Sequence, residues 1–195
     1  MGNKILNNEN ERAYRDKIYT LSSIDNLNFF LKSNTLSRED LINLTKYNGR
    51  IFYHFRERFH NDFEMVLTAV ENEGWVIKYA DDEIRDDEKI VMAAIKSDGS
   101  ALRYVNSRFQ DNIELVQQAI IQDAENFKFA SERIKCDKKI LSNLVKFNPK
   151  IINYACPKIR QDRLLLLHAI ELEPSIMQNI SPILKNDRNF ILDAV

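Results

Sequence analysis

The sequence predicts an all-α solenoid of 25-residue helix-turn-helix repeats with a divergent N-terminal cap. Three observations support this fold class. The same outline of residues returns every 25 residues, apolar residues within it recur at helical spacing, and Gly or Pro follows the first helical stretch of most copies. We count the copies from residue 36 as the first to seventh repeats and number positions 1 to 25 within each. They occupy residues 36–60, 61–85, 86–110, 111–135, 136–160 and 161–185, with a partial copy at 186–195.

Residues 1–35 are predicted to form an N-terminal tail followed by a divergent helical cap. From residue 11 the repeat can be traced only faintly, because Arg15 and Asp16 replace the apolar pair expected at positions 5 and 6. A terminal repeat has one face in water, so an atypical sequence is what a cap requires.

The first helix of each repeat is predicted to start after a polar residue at position 2. Such a side chain accepts a hydrogen bond from a free amide of the first helical turn. Apolar residues then follow at positions 5, 6, 9 and 10, which lie on one helical face. Position 9 is mostly Ala, so a neighbouring helix can approach closely. The predicted N-cap residues are Ser37, Asp62, Asp87, Asn112, Asp137, Asp162 and Asp187.

Position 14 is predicted to end this helix, because Gly adopts a left-handed conformation there and Pro cannot continue a helix. A second, shorter helix is predicted from apolar residues at positions 17, 20 and 24. Isolated helices shorter than roughly 12–15 residues are marginal in water, so each repeat must pack on its neighbours. The residues at position 14 are Gly49, Gly74, Gly99, Ala124, Pro149 and Pro174.

The seventh repeat stops within its first helix, where Phe190, Ile191, Ala194 and Val195 hold core positions. This helix is either a short lid or the beginning of a further repeat in a longer protein. We favour the longer protein.

Composition and motifs give no sign of catalysis. The net charge is −1, so the chain as a whole does not attract nucleic acid or an anionic membrane. Cys136 and Cys156 form no metal-binding pair in the sequence, and reduced thiols in the cytoplasm are the simpler interpretation. No phosphate-binding loop, nucleophile motif, signal peptide or membrane-spanning run is present. We therefore predict a non-enzyme with no cofactor, no metal and no transmembrane segment.

Positions 23 and 25 are mostly Lys or Arg, and stacking would align them as a basic edge. Two interpretations are open. The cations stabilise helix C-termini and meet the N-caps of the next repeat, or the edge binds an acidic protein segment, a phosphoinositide or nucleic acid. Position 18 adds further cations, whereas the recurrent aromatic residue of position 19 is assigned to the core. The basic-edge residues are Arg58, Arg85, Arg108, Arg133, Lys135, Lys158, Arg160 and Lys185, and the position 18 cations are Lys78, Arg103 and Lys128.

Five large apolar residues interrupt columns that are otherwise mostly polar, small or charged. They are Trp75 at position 15, Phe63 and Ile113 at position 3, and Tyr47 and Phe147 at position 12. Exposed aromatic residues often anchor a partner, and we prefer Trp75 as the contact. The alternative is that these side chains fill local gaps or pack on the next repeat.

The outline N/D-D-x-E/K-I/M-V-x-x-A-V/I-x-x-x-G-x-x-I/L-x-Y-A/V is best kept in residues 61–110 and resembles the tandem helical repeat called domain of unknown function 4116. Ala124, Pro149 and Pro174 depart from its glycine, and Asn179 departs from its aromatic residue. That family occurs in amoeba-infecting giant viruses and intracellular bacteria. The resemblance implies a host-interaction setting, such as that of a translocated bacterial effector, and implies no catalytic residues.

The sequence thus predicts a non-catalytic protein–protein interaction scaffold with an unidentified protein partner. Its predicted location is the cytoplasm, or the host cytosol for a translocated effector. One alternative is a binder of phosphate-bearing ligands, phosphoinositide or nucleic acid, through the basic edge. Another is the targeting region of a longer enzyme.

Overall fold

The computed structural model describes residues 36–194 and shows a stack of short helices with a 25-residue period. No β-strand occurs within this range. The prediction of an all-α solenoid is confirmed. The predicted tail and cap at residues 1–35 lie outside the described residues.

A long α-helix opens each repeat at position 3, as the sequence predicts. At all seven predicted N-caps the side chain of position 2 accepts a hydrogen bond from a backbone amide of the first turn. The long helices are Arg38–Tyr47, Phe63–Asn72, Glu88–Ser97, Ile113–Gln122, Lys138–Leu144, Arg163–Leu172 and Arg188–Asp193.

The long helix ends by turning into extended backbone, and the predicted left-handed glycine is wrong. Glu73 at position 13 has φ −137° and ψ 91°, and none of Gly49, Gly74 and Gly99 has a positive φ. Position 14 instead begins a 3-10 helix, a place where Pro also fits because its missing amide is not needed there. The 3-10 helices are Gly49–Ile51, Gly74–Tyr79, Gly99–Arg103, Ala124–Phe129, Pro149–Tyr154 and Pro174–Asn179.

Glycine at position 14 is explained by contact with the next repeat. A Cβ atom on Gly49 would lie 2.7 Å from the carbonyl oxygen of Ala69, and one on Gly74 would overlap the carbonyl oxygen of Ala94. Both alanines occupy position 9 of the following repeat. Small residues at positions 9 and 14 therefore let consecutive repeats approach closely.

The predicted second helix is divided in two, which corrects the sequence prediction. From the second repeat onward, extended backbone at or near position 20 separates the 3-10 helix from a final short helix. In the second, fourth and fifth repeats the amide of position 21 bonds to the carbonyl of position 25 in the preceding repeat, as in Asp81 to His60 at 2.9 Å and Ser131 to Gln110 at 2.9 Å. That amide is thus not available to continue the helix. The final segments are Phe52–Phe59, Asp82–Arg85, Ser107–Gln110, Glu132–Cys136, Ile159–Gln161 and Pro182–Lys185.

One continuous core runs through the stack, from Leu36 to Phe190. In the second repeat Met65, Val66 and Ala69 at positions 5, 6 and 9 have no exposed surface. The long helices of the first four repeats contact each other in succession, and the 3-10 helices of the second to sixth repeats do the same. The core is thus shared between neighbouring repeats.

Amide side chains at position 12 clamp some neighbouring repeats together. Oε1 of Gln122 accepts from the amide of Gly99 at 2.6 Å, and its Nε2 donates to the carbonyl of Ile95 at 2.8 Å. Asn72 makes the same pair of bonds to the first repeat. These bonds satisfy a carbonyl that the preceding long helix leaves free at its C-terminus and the first amide of the 3-10 helix that follows it.

Candidate functional site

Positions 18 and 19 of the stacked 3-10 helices bring Lys or Arg against aromatic rings. The cation of one repeat lies over the ring of the next: Nζ of Lys128 is 5.0 Å from the ring centroid of Tyr154. Cζ of Arg103 is 5.8 Å from the centroid of Phe129. We call this set the cation–aromatic ladder, and its members are Lys78, Tyr79, Arg103, Tyr104, Lys128, Phe129 and Tyr154.

The first end of the ladder is a dense aromatic cluster. Nζ of Lys78 lies 4.6 Å from the ring of Trp75 and 4.8 Å from that of Tyr79. Tyr79 also contacts Tyr53, with ring centroids 5.2 Å apart, and Arg56 lies over Tyr53 at 4.1 Å. The ladder and this cluster together extend over the first five repeats.

The ladder keeps its cations near solvent. Arg103 and Lys128 are exposed and Lys78 is half-buried, while the position 19 rings are half-buried and not part of the fully enclosed core. Lys128 is hydrogen-bonded to Glu125, which raises the pKa of its ammonium. Within residues 36–194, Lys78 and Arg103 have no carboxylate partner. Two cations are therefore held by rings with their charge uncompensated.

Of the five predicted partner contacts, Trp75 is half-buried and packs against the core. Its Nε1 donates to Glu73 at 3.0 Å, and its ring meets Tyr79 edge-on with centroids 6.0 Å apart. Trp75 thus belongs to the cluster at the end of the ladder and still has an exposed part.

The other four predicted contacts are exposed, with Phe63, Ile113 and Tyr47 on long helices and Phe147 in the turn after one. Phe63 and Ile113 are each 39% exposed, and Tyr47 and Phe147 are 49% and 50% exposed. The first two lie at helix N-termini and the last two at helix C-termini. The structure therefore does not join these four residues into a single patch.

Two arginines of the predicted basic edge are paired within their own repeats. Nε of Arg108 lies 2.6 Å from a carboxylate oxygen of Asp86, and Nε of Arg133 lies 2.9 Å from one of Asp111. The side chains of Asn106 and Arg108 lower the pKa of Asp86. These aspartates occupy position 1, so the arginines do not meet the N-caps of the next repeat.

The remaining basic-edge residues differ in their surroundings. Arg85 pairs with Asp82, and Lys135 pairs with Glu132 at 2.5 Å. Lys185 donates to the carbonyl of Gln178 at 2.7 Å, and Arg58 lies 5.3 Å from the ring of Phe59. In the described part of the chain, Lys158 and Arg160 are exposed without an ion pair.

Three of the N-cap aspartates, Asp62, Asp162 and Asp187, are met instead by cations at position 3 of the preceding repeat, which the sequence analysis missed. Nε of Arg38 lies 2.7 Å from Asp62, and Nζ of Lys138 lies 2.7 Å from Asp162. The hydrogen bond from Arg38 lowers the pKa of Asp62 although partial burial opposes it. The recurrence of Arg or Lys at position 3 was the available signal.

Among the described residues no group of three or more His, Cys, Asp or Glu is placed to hold a metal ion. None of the helices between residues 36 and 194 is long and apolar enough to cross a membrane.

The 25-residue period, the paired helical segments and the shared core define a tandem helical-repeat protein. The family described as Domain of unknown function (DUF4116) matches the chain four times, over residues 37–85, 62–110, 87–132 and 112–160. The chain belongs to this family, since the matches span more than half of its length. Each match begins at an N-cap, at position 2 of a repeat, and extends across about two repeats. No curated protein and no solved structure matches the chain.

Proposed function

We propose that the chain is a non-catalytic scaffold that binds an extended acidic segment of a partner protein along the cation–aromatic ladder. The observation that carries this proposal is the row of cations at position 18, of which Lys78 and Arg103 have no carboxylate partner in the described chain.

The cations of the ladder are preorganised for binding an anionic ligand. A cation over an aromatic ring is stabilised by about 0.5–1 kcal/mol at an exposed site. Such a side chain has fewer conformations to lose when a carboxylate binds, which reduces the entropic cost of association. An acidic partner would therefore meet donors that are already positioned.

The spacing of the repeats fits an extended peptide. Packed helices lie about 8–10 Å apart, so the position 18 cations of successive repeats have a similar spacing. A chain in the polyproline II conformation advances about 3.1 Å per residue with three residues per turn, so every third side chain lies on one face. An acidic side chain at about every third residue of the partner would therefore meet one ladder cation after another.

A protein partner suits the ladder better than single-stranded nucleic acid. Base stacking requires free faces on aromatic side chains. Here the rings of Tyr104, Phe129 and Tyr154 each have a cation of the preceding repeat near the face and also pack against the core. Charge recognition remains available to the ladder, whereas stacking on several bases does not.

We further propose that the partner is a host protein met in the cytosol. This part of the proposal rests on the family resemblance and on the reduced thiols expected from the sequence.

Binding of a fluorescent oligoglutamate peptide, measured by anisotropy, tests the proposal. Replacing Lys78 and Arg103 with Ala should weaken binding about tenfold or more, because each cation supplies a charge-assisted hydrogen bond. The matched control replaces Lys46 and Lys146, two exposed cations at position 11, the first in a long helix and the second in the turn after one. Replacing that pair should reduce the affinity for oligoglutamate only slightly, because it lowers the net positive charge without changing the ladder.

Equal weakening by both pairs would show that only overall charge matters and would overturn a ladder site. An oligoglutamine peptide should not bind. If an oligonucleotide or vesicles containing phosphoinositide bind more tightly than oligoglutamate, and lose that binding with Lys158 and Arg160 replaced by Ala, the basic edge is the functional surface instead.

A further inference from the structure

The two cysteines occupy positions that face each other within one repeat. Cys136 is position 1 and Cys156 is position 21 of the fifth repeat, and both are free thiols. Cys136 is exposed and Cys156 is half-buried, so small reagents can reach the first and part of the second.

The same two positions hold touching side chains in other repeats. In the third repeat Nδ2 of Asn106 donates to Asp86 at 2.8 Å, and in the fourth repeat Oγ of Ser131 donates to Asp111. Side chains as short as serine and aspartate can touch only when their Cβ atoms are close. The fold thus brings positions 1 and 21 together in both of the repeats that precede the one with the cysteines.

Backbone geometry in the fifth repeat agrees with this pairing. The amide of Cys156 donates to the carbonyl of Lys135 at 3.1 Å. With standard covalent lengths, this bond keeps the Cα atoms of Cys156 and Cys136 within roughly 7 Å of each other. Disulfides span Cα separations of about 4.4–6.8 Å, so closure needs little movement.

We propose that Cys136 and Cys156 are a reversible dithiol–disulfide pair that reacts with small disulfide oxidants such as oxidised glutathione. The thiolate of one cysteine attacks a sulfur of the oxidant, forming a mixed disulfide and releasing one small thiolate. The second cysteine loses its proton to water and attacks the first. The protein disulfide forms and the second small thiolate leaves. Two protein thiols are oxidised and one small disulfide is reduced to two thiols.

Cys156 is the attacking residue. Burial raises the pKa of its thiol, but hydrogen bonds from Cys136 and from the amides of Ile159 and Lys158 outweigh burial and lower it. Donation to Cys156 raises the pKa of Cys136 to about 11. The thiolate therefore forms first on Cys156, and Cys136 resolves the mixed disulfide.

The test treats the full chain with oxidised glutathione and follows free thiols and peptide mass. Wild type should lose both thiols, remain a monomer, carry no glutathione and yield a linked peptide pair, with full reversal by dithiothreitol. Cys136→Ser should instead keep one glutathione on Cys156. Cys156→Ser should react more slowly than Cys136→Ser, because Cys136 lacks the amide donors that favour the thiolate on Cys156.

A transplanted pair provides the matched control. In a chain with both native cysteines changed to Ser, Asp111→Cys with Ser131→Cys should close a disulfide in the fourth repeat. Failure of that pair to close would remove the geometric basis of the proposal. Two glutathione adducts on wild type without a bridge, bridges only between chains, or no reaction at all would each overturn it.

Discussion

At the scale of single residues, Gly74 marks the closest approach between two repeats. A methyl group there would overlap the backbone oxygen of Ala94, which cannot move without displacing its helix. The constraint comes from space and not from an unusual backbone conformation. The steric requirement for glycine at position 14 is weaker in later repeats. Ala124 holds this position with its side chain buried, and Pro174 holds it with its side chain exposed.

We predict that Gly74→Ala destabilises the chain by about 1–3 kcal/mol, the usual cost of forcing extra volume into a packed interior. Urea denaturation followed by circular dichroism measures the change. The reverse change at the equivalent position, Ala124→Gly, removes a methyl group that already fits and should cost less. A larger loss for Ala124→Gly would contradict the steric explanation.

Residue-level prediction succeeded where a side chain acts on its own turn of backbone. The N-caps, such as Asp87, bond to an amide three residues away, so the sequence contains both partners. It failed where the partner is in the next repeat. The role of Gly49 depends on a carbonyl 20 residues later, and the role of Arg38 depends on an N-cap 24 residues later.

At the scale of elements, the clamp from Gln122 fastens the fourth repeat to the third. Its amide group serves both the free amide of Gly99 and the last carbonyls of the preceding long helix. The side chain of Gln122 thus provides hydrogen-bond partners for backbone groups at the end of a helix in another repeat.

We predict that Gln122→Ala lowers stability by about 1–2 kcal/mol, because it leaves partly buried backbone groups without partners. The amide of Gly99 should also exchange hydrogen faster, which places the effect at this junction. Ser97→Ala is the matched control, since Ser97 holds position 12 of the third repeat, is exposed and makes no such bonds. Equal effects of the two changes would argue against the clamp.

The long helices were predictable because positions 5, 6, 9 and 10 match a 3.6-residue period and carry caps. The 3-10 helices were not, because positions 17 and 20 are three residues apart and fit either kind of helix. In the second, fourth and fifth repeats the break near position 20 is accompanied by a hydrogen bond whose acceptor lies in the preceding repeat. The ladder could not be predicted for a similar reason, because its contacts join different repeats. The sequence shows the recurring residues at positions 18 and 19, such as Lys78 and Tyr79. It predicts a core position for Tyr79, which is half-buried.

At the scale of the whole molecule, the array is a set of similar junctions that share one core. Stability in such proteins is approximately a sum of repeat and neighbour terms. The chain should therefore tolerate the loss of a whole repeat far better than the loss of half of one.

We predict that deleting residues 86–110 leaves the helical content per residue unchanged and lowers the midpoint of thermal unfolding. Position 25 of the second repeat would then join position 1 of the fourth, and the column pattern would continue. Deleting residues 86–98 shifts the pattern by half a period and should abolish cooperative unfolding. Far-UV circular dichroism during heating distinguishes the two. Similar melting curves for both deletions would argue against stacking in register.

The backbone bond between position 21 and the preceding repeat has a consequence for how such arrays change over evolutionary time. It uses no side chain, and it forms equally with Asp81, Ser131 and Cys156. Mutation at this site can therefore introduce an acid, a hydroxyl or a sulfur without altering the path of the chain. The side chain at position 21 can therefore change in one repeat after another during evolution while the backbone of the stack stays the same.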